Sequence, residues 1–144
     1  MLVYISQFLR FVFAGLMGIM GALQIASFAK FVDVLKDYRI LPDNFIGIFA
    51  VAIISVELIA SLLLIDPKRR IDEEGAVVGI IALLFWSVLS AWASAKDIKI
   101  GNTGYFGNYF KTNLNLVLLL VNMIAIAWGY ATFYVCNKQL HLKK

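Results

Sequence analysis

The sequence predicts an all-α integral membrane protein, a four-transmembrane-helix bundle with a short interfacial helix after the first span. Three observations carry that prediction. The 144 residues are 62% hydrophobic and 15% charged, with mean hydropathy +0.85, whereas a soluble domain is roughly 45–50% apolar and about 25% charged. Four apolar runs, approximately 8–29, 45–65, 76–95 and 114–135, are each about 20 residues long. That length crosses roughly 30 Å of hydrocarbon at 1.5 Å rise per residue. The charges gather at the ends of these runs, so the excess of 13 Lys+Arg over 9 Asp+Glu is the ordinary flanking of membrane spans. It points to the lipid bilayer as partner and not to nucleic acid; a cluster such as Lys68-Arg69-Arg70 would attract anionic lipid. One domain, 1–144, is expected.

The first run, Phe8–Ala29, is too long for the apolar region of a signal peptide and has only Arg10 near its start, so it reads as a span. Ala14, Gly18, Ala22 and Ala26 recur every four residues and suggest a smooth face for helix packing, with Gln24 as the polar exception. Lys30–Asn44 follows. Phe31, Val34, Leu35 and Tyr38 keep helical spacing while Lys30, Asp33, Lys36 and Asp37 occupy other faces. This suits an amphipathic helix at the membrane interface, a plain connecting loop being the alternative. Pro42 ends it, and Asp43 or Asn44 is placed to cap the next helix.

The second span, Phe45–Ile65, is apolar apart from Ser55, Ser61 and one acid, Glu57. An ionised carboxylate that deep in the bilayer costs a few kcal/mol or more unless it is neutralised, paired or wetted. The neutral form is therefore expected unless a cation such as Arg10 or Lys30 reaches it. Glu57 is the first candidate for function: a polar anchor or proton-linked group facing Gln24, Asn115 or Asn122. The competing reading is structural, a protonated acid hydrogen-bonded between helices.

Asp66-Pro67 stops the second span, and Pro67–Gly75 is a short charged connection. The third span carries Trp86 near its middle and Trp92 towards its end, where indole rings favour the interface. Lys96–Asn113 is the longest polar stretch; Gly101, Gly104 and Gly107 permit tight turns, and Tyr105, Phe106, Tyr109 and Phe110 are suited to anchor it at the membrane surface. The fourth span places Asn115 and Asn122 on one face. Four spans put both termini on one side. That side holds seven basic residues (Arg10, Lys68, Arg69, Arg70, Lys138, Lys143, Lys144) and the other six (Lys30, Lys36, Arg39, Lys96, Lys99, Lys111). The positive-inside rule then weakly favours cytoplasmic termini, with a bacterial inner (cytoplasmic) membrane as the expected location.

In order along the chain, these features resemble the MauE (methylamine utilisation protein) branch of the DoxX-like membrane protein superfamily. Arg10 opens a glycine-bearing first span, and Lys30 follows it. Tyr38-Arg39-Ile40-Leu41-Pro42 resembles the family's tyrosine-to-proline connection. Glu57 resembles the acid of its second span, with Ser61 where a small residue is usual. Arg69 or Arg70 matches a basic residue entering span three. Thr103-Gly104-Tyr105-Phe106-Gly107 stands where many members carry Cys-Gly-Cys-Phe-Gly. The resemblance implies a four-helix protein linked to maturation of methylamine dehydrogenase through support of disulfide formation outside the cytoplasm. The chain departs from the pattern at the thiols. A dithiol relay needs an attacking and a resolving sulfur, and Thr103 and Tyr105 supply neither. Cys136 is the only cysteine, placed at the far end of span four; one thiol without an activating partner behaves as a small apolar residue.

No enzyme constellation accompanies these features. His141, the only histidine, lies in the basic tail, which leaves no histidine metal cluster and no buried Ser–His pair. The GxxG spacing from Gly101 to Gly107 lacks the Lys-Ser/Thr of a phosphate loop. No cofactor is implied, quinone being the one candidate. The first functional expectation is an accessory protein that supports maturation or assembly of exported redox proteins, with a redox-protein partner supplying the thiols. The second is a small quinone- or proton-linked subunit of a membrane redox complex. A small transporter is a third, disfavoured by sparse polar lining and no evident internal repeat.

Overall fold

The computed structural model describes residues 2–66, 72–98, 100–107, 109 and 116–141. Among these residues five helices follow in order: α1 (Leu2–Ala26), α2 (Phe28–Asp37), α3 (Asp43–Ile65), α4 (Asp72–Ala95) and α5 (Leu116–His141). No strand occurs among the described residues. Stretches Tyr4–Ala26, Asp43–Ile65 and Glu73–Ala95 are each long and apolar enough to cross a membrane, and the apolar part of α5 described with its side chains is Leu120–Val135. Their outer faces carry Ile48, Leu62, Val88, Met123 and Ile124, all more than half exposed. Apolar surface on that scale, on helices of membrane-spanning length, suits a lipid surrounding. The protein is a helical membrane bundle whose outer faces meet the bilayer.

The four long helices run alternately up and down and close a ring: α1 packs on α3, α3 on α4, α4 on α5, and α5 back on α1. Small residues set the close approaches. A Cβ on Gly18 would sit 2.8 Å from Ser61 Oγ, and one on Gly75 2.9 Å from Leu63 Cβ. Ser61 in turn donates across the interface to the Ala14 carbonyl at 2.9 Å. The face expected from the four-residue row is shorter than its spacing suggested, because Ala14 is buried but Ala22 and Ala26 are exposed. At 3.6 residues per turn a four-residue row rotates by about 40° per step, so it leaves the α3 contact before reaching Ala22. Gly21 takes over, against Leu58.

The first span was expected to continue to Ala29, but α1 stops at Ala26 and the chain bends at Ser27, whose φ is −120°. Ser27 Oγ donates back to the Leu23 carbonyl at 2.8 Å and so does not cap α2. The amphipathic helix is present as α2, and its apolar side is turned into the protein: Phe31, Leu35 and Tyr38 are fully buried. Lys36 and Asp33 pair at 3.0 Å on its exposed side, a solvated contact of little energetic weight. The expected side-chain cap of α3 is replaced. Pro42 holds the N-cap position, and Asp43 instead lies in the first turn, where a carboxylate favours the helix dipole. At the end of α4, Asp97 adopts φ +52°, with Asp97 N–H on the Ser94 carbonyl and Ile98 N–H on the Ala93 carbonyl. This Schellman closure turns the chain back over the bundle.

Candidate functional site

Glu57 sits inside the ring, fully buried, near the level where α1 ends. Its Oε1 accepts from Trp86 Nε1 at 2.8 Å and from Gln24 Nε2 at 3.3 Å. Gln24, equally buried, uses its second amide hydrogen on the backbone carbonyl of Tyr105 at 3.0 Å. The Tyr105 ring stacks on Trp86 with centroids 4.7 Å apart and planes 27° from parallel. One acid, one amide, one indole and one loop residue thus form a continuous unit drawn from α3, α1, α4 and the loop.

That loop is a strap, residues 102–107, laid across one end of the bundle. Asn102 organises it from within: its Oδ1 accepts from Gly104 N–H at 3.1 Å and its Nδ2 donates to the Gly107 carbonyl at 3.0 Å. Tyr38 of α2 donates to the Thr103 carbonyl at 3.0 Å. Gly104, at φ +84°, lies against Phe31 and Val34, and Gly107, at φ +58°, lies against Ser27 and the Leu23 carbonyl. L side chains rarely adopt these backbone angles, so both glycines are required by conformation as well as by space. Burial holds the Tyr38 and Tyr105 phenols above the ordinary phenol range.

Four polar atoms around Trp86 are buried without a hydrogen-bond partner: Glu57 Oε2, Gln24 Oε1, Ser90 Oγ and the Tyr105 hydroxyl. Ser90, Glu57 and Asn122 are the polar groups that act on the Tyr105 hydroxyl, which has no partner within hydrogen-bond geometry. On the lipid side of Trp86 an apolar groove of about 220 Å³ runs between α3 and α4, walled by Phe49, Val56, Ile81, Phe85 and Trp86. Phe49 and Phe85 meet edge to face at 5.5 Å, and Phe85 and Trp86 at 6.0 Å.

Of the residues singled out from sequence, the fold brings Gln24, Glu57 and the segment Thr103, Gly104, Tyr105, Phe106 and Gly107 together. Asn122 is drawn to α4 instead, where its amide donates to the Leu83 carbonyl at 3.2 Å and to Ser87 Oγ. Asn115, Arg69 and Arg70 lie outside the described residues, as does the side chain of Cys136. Arg10 is buried near the opposite end of α1, with its guanidinium 5.1 Å from the Phe11 ring. It stands 14 residues before Gln24, about 21 Å along the helix. Lys30 is exposed on α2. Among the described residues, the groups that hydrogen-bond Glu57 are therefore uncharged. Sequence reasoning passed over Trp86 and Tyr38 as site residues. The available signal was an indole in mid-span, away from the interface where such rings usually lie.

No curated protein and no solved structure matches the chain. A family model does, described as methylamine utilisation protein MauE, and its match runs over residues 2–134. All five helices begin within that range, and the acid, the amide, the indole and the strap are inside it. The protein, a helical bundle of the bilayer with a polar centre under a packed strap, belongs to the MauE family.

Proposed function

We propose that the protein is a membrane accessory factor supporting maturation or assembly of exported redox proteins of the methylamine-utilisation type, without dithiol chemistry of its own. The observation that supports this best is the state of the strap. Thr103 and Tyr105 are buried, neither is a thiol, and both are used to fasten the strap to α1, α2 and α4. The segment thus provides a fixed surface, and any thiol exchange belongs to a redox-protein partner docked upon it. In this proposal the protein resides in the bacterial inner membrane with both termini cytoplasmic. The up-down order of the helices then directs the strap outward, towards exported clients.

The test is deletion of the gene in its own bacterium, combined with purification of tagged protein in mild detergent and mass spectrometry of what accompanies it. The expected result is accumulation of an immature exported redox enzyme on deletion, and co-purification of a redox-active exported or membrane partner. Gly107→Ala, which unseats the strap, is expected to reduce that co-purification while the protein still inserts. Normal maturation of exported redox enzymes in the deletion strain would overturn the proposal.

A second reading, a quinone- or proton-linked subunit of a membrane redox complex, draws on the α3–α4 groove. Its three aromatic walls include the indole bonded to Glu57. That lining suits the hydrocarbon part of a quinone, and the head group would require a polar atom from the Glu57 side of Trp86. Quinone retained in near-stoichiometric amount through purification, and lost in Phe85→Ala, would favour it over the first.

A further inference from the structure

We propose that Gln24 is a latch that reads the protonation state of Glu57 and holds the strap closed only while the acid carries its proton. The orientation of the amide is dictated by its surroundings. Nε2 faces two acceptors, Glu57 Oε1 at 3.3 Å and the Tyr105 carbonyl at 3.0 Å. A flipped amide would set oxygen against oxygen at both contacts. Both amide hydrogens are consumed, and the amide oxygen is left with no donor. The second carboxyl oxygen of Glu57 is likewise buried and without a partner. One proton set between these two oxygens, on side chains already joined by one hydrogen bond, satisfies both at once. Protonated at Oε2, Glu57 donates to Gln24 Oε1 while Gln24 Nε2 donates to Glu57 Oε1, the paired arrangement of a carboxylic acid with a carboxamide. Buried polar groups are almost always satisfied, and this one proton satisfies two.

The ionised form reverses the contact. With the proton passed to water at the strap end of the bundle, a carboxylate oxygen faces the amide oxygen and repels it. Gln24 then gains by presenting both amide hydrogens to the carboxylate, since hydrogen bonds to an ionised acceptor are roughly twice as strong. The hydrogen withdrawn is the one holding the Tyr105 carbonyl. The strap loses its side-chain hydrogen bond to Gln24 of α1 and keeps the Tyr38 bond to Thr103, the stacking on Trp86 and the seating of Gly107 against Leu23. Among the described residues no charged side chain is in contact to compensate. Glu57 faces Gln24 from α1 and Trp86 from α4, and the strap adds Tyr105, the one titratable neighbour among the described residues, a phenol neutral at physiological pH. Asn122 of α5 is uncharged, and the charged residues of α2, Lys30, Asp33, Lys36 and Asp37, are on its exposed side. The device is independent of which partner the strap meets.

The experiment uses the full chain in lipid nanodiscs, with two readouts across a pH series. Infrared difference spectra follow the protonated-carboxyl C=O band, assigned to Glu57 by its loss in Glu57→Gln. Hydrogen–deuterium exchange, corrected for intrinsic rate, follows the strap amides Gly104 and Gly107. In wild type, exchange at these amides is expected to rise about three- to tenfold as the carboxyl band disappears, the equivalent of one hydrogen bond. Glu57→Gln carries a permanent N–H donor where the acid has its proton, so its strap is expected to remain protected at every pH. Gln24→Met is expected to exchange fast at every pH; should it fail to fold, the first comparison decides alone. A carboxyl band unmoved across the series, strap exchange that does not follow it, or a pH response surviving in Glu57→Gln would overturn the latch.

Discussion

The Tyr38 hydroxyl at the end of α2 donates to the Thr103 carbonyl at 3.0 Å, joining residues 65 apart in sequence. Both residues are fully buried. The helix that follows span one is thereby fastened to the strap that precedes α5.

Tyr38→Phe keeps the ring packing and removes that bond, so it is expected to destabilise the protein by about 1 kcal/mol, read from denaturation in detergent. The same phenol predicts the alkaline limb. Because burial raises the folded-state value of Tyr38 and Tyr105, the folded protein holds these protons more tightly than the unfolded chain. The corresponding stability is fully present below the ordinary phenol value of about 10 and is lost progressively above it. Tyr38→Phe should make that alkaline decline shallower.

Gly107→Ala and Gly101→Ala form a pair that isolates the seating of the strap. A Cβ on Gly107 would lie 2.6 Å from the Leu23 carbonyl oxygen, on a backbone at φ +58°, whereas one on Gly101 meets nothing within 4 Å. Conformational strain alone costs about 1–2 kcal/mol, and the backbone contact adds to it. Gly107→Ala should raise protease cleavage within the strap markedly, and Gly101→Ala should leave it unchanged.

The α1–α3 interface makes a second contrast. Gly15 is open around its Cβ direction, so Gly15→Ala is expected to stabilise α1 by about 0.5–1 kcal/mol. Gly18→Ala pushes on Ser61 Oγ, which is held on the Ala14 carbonyl, and is expected to cost about 1–3 kcal/mol as overpacking does. Melting of the two variants in the same detergent should shift in opposite directions.

A double-mutant cycle on Trp86 and Glu57 measures the centre directly. Trp86→Phe removes the 2.8 Å donor from a buried oxygen, with an expected loss of about 1–3 kcal/mol. If the bond is the origin of that loss, the effects of Trp86→Phe and of Glu57→Met, which removes the accepting oxygen, will be non-additive by a similar amount. Additivity would show that the indole acts through packing alone.

The bundle was legible because its signal is length and composition, which twenty-residue apolar runs convey without any tertiary information. Glu57 and Gln24 were legible for a related reason: a polar side chain in a span stands out and has few places to go. Their partner was not, because a carboxyl group accepts from any donor and the sequence holds three tryptophans. Only the packing of α4 selects Trp86. Asn122 shows the same limit from the other side. It is buried, yet its amide satisfies a carbonyl and a hydroxyl of α4 and not the acid. The strap's glycines marked turns, but their contact with α1 and α2 depends on a bend at Ser27 that no local pattern announces.

The ring of helices has a consequence for how the protein is made. Among the described residues α3 and α5 share no packing, and Phe13 of α1 is wedged between Gly79 of α4 and Gly129 of α5. Until the last helix leaves the ribosome, the chain is a three-sided trough with Phe13 and the Leu9 carbonyl facing lipid where Gly129 and Trp128 will later lie. The strap is synthesised just before that final helix. The contacts that seat it are with α1, α2 and α4, all made earlier, so a chain truncated before α5 would keep the acid covered and expose only the groove meant for the last helix.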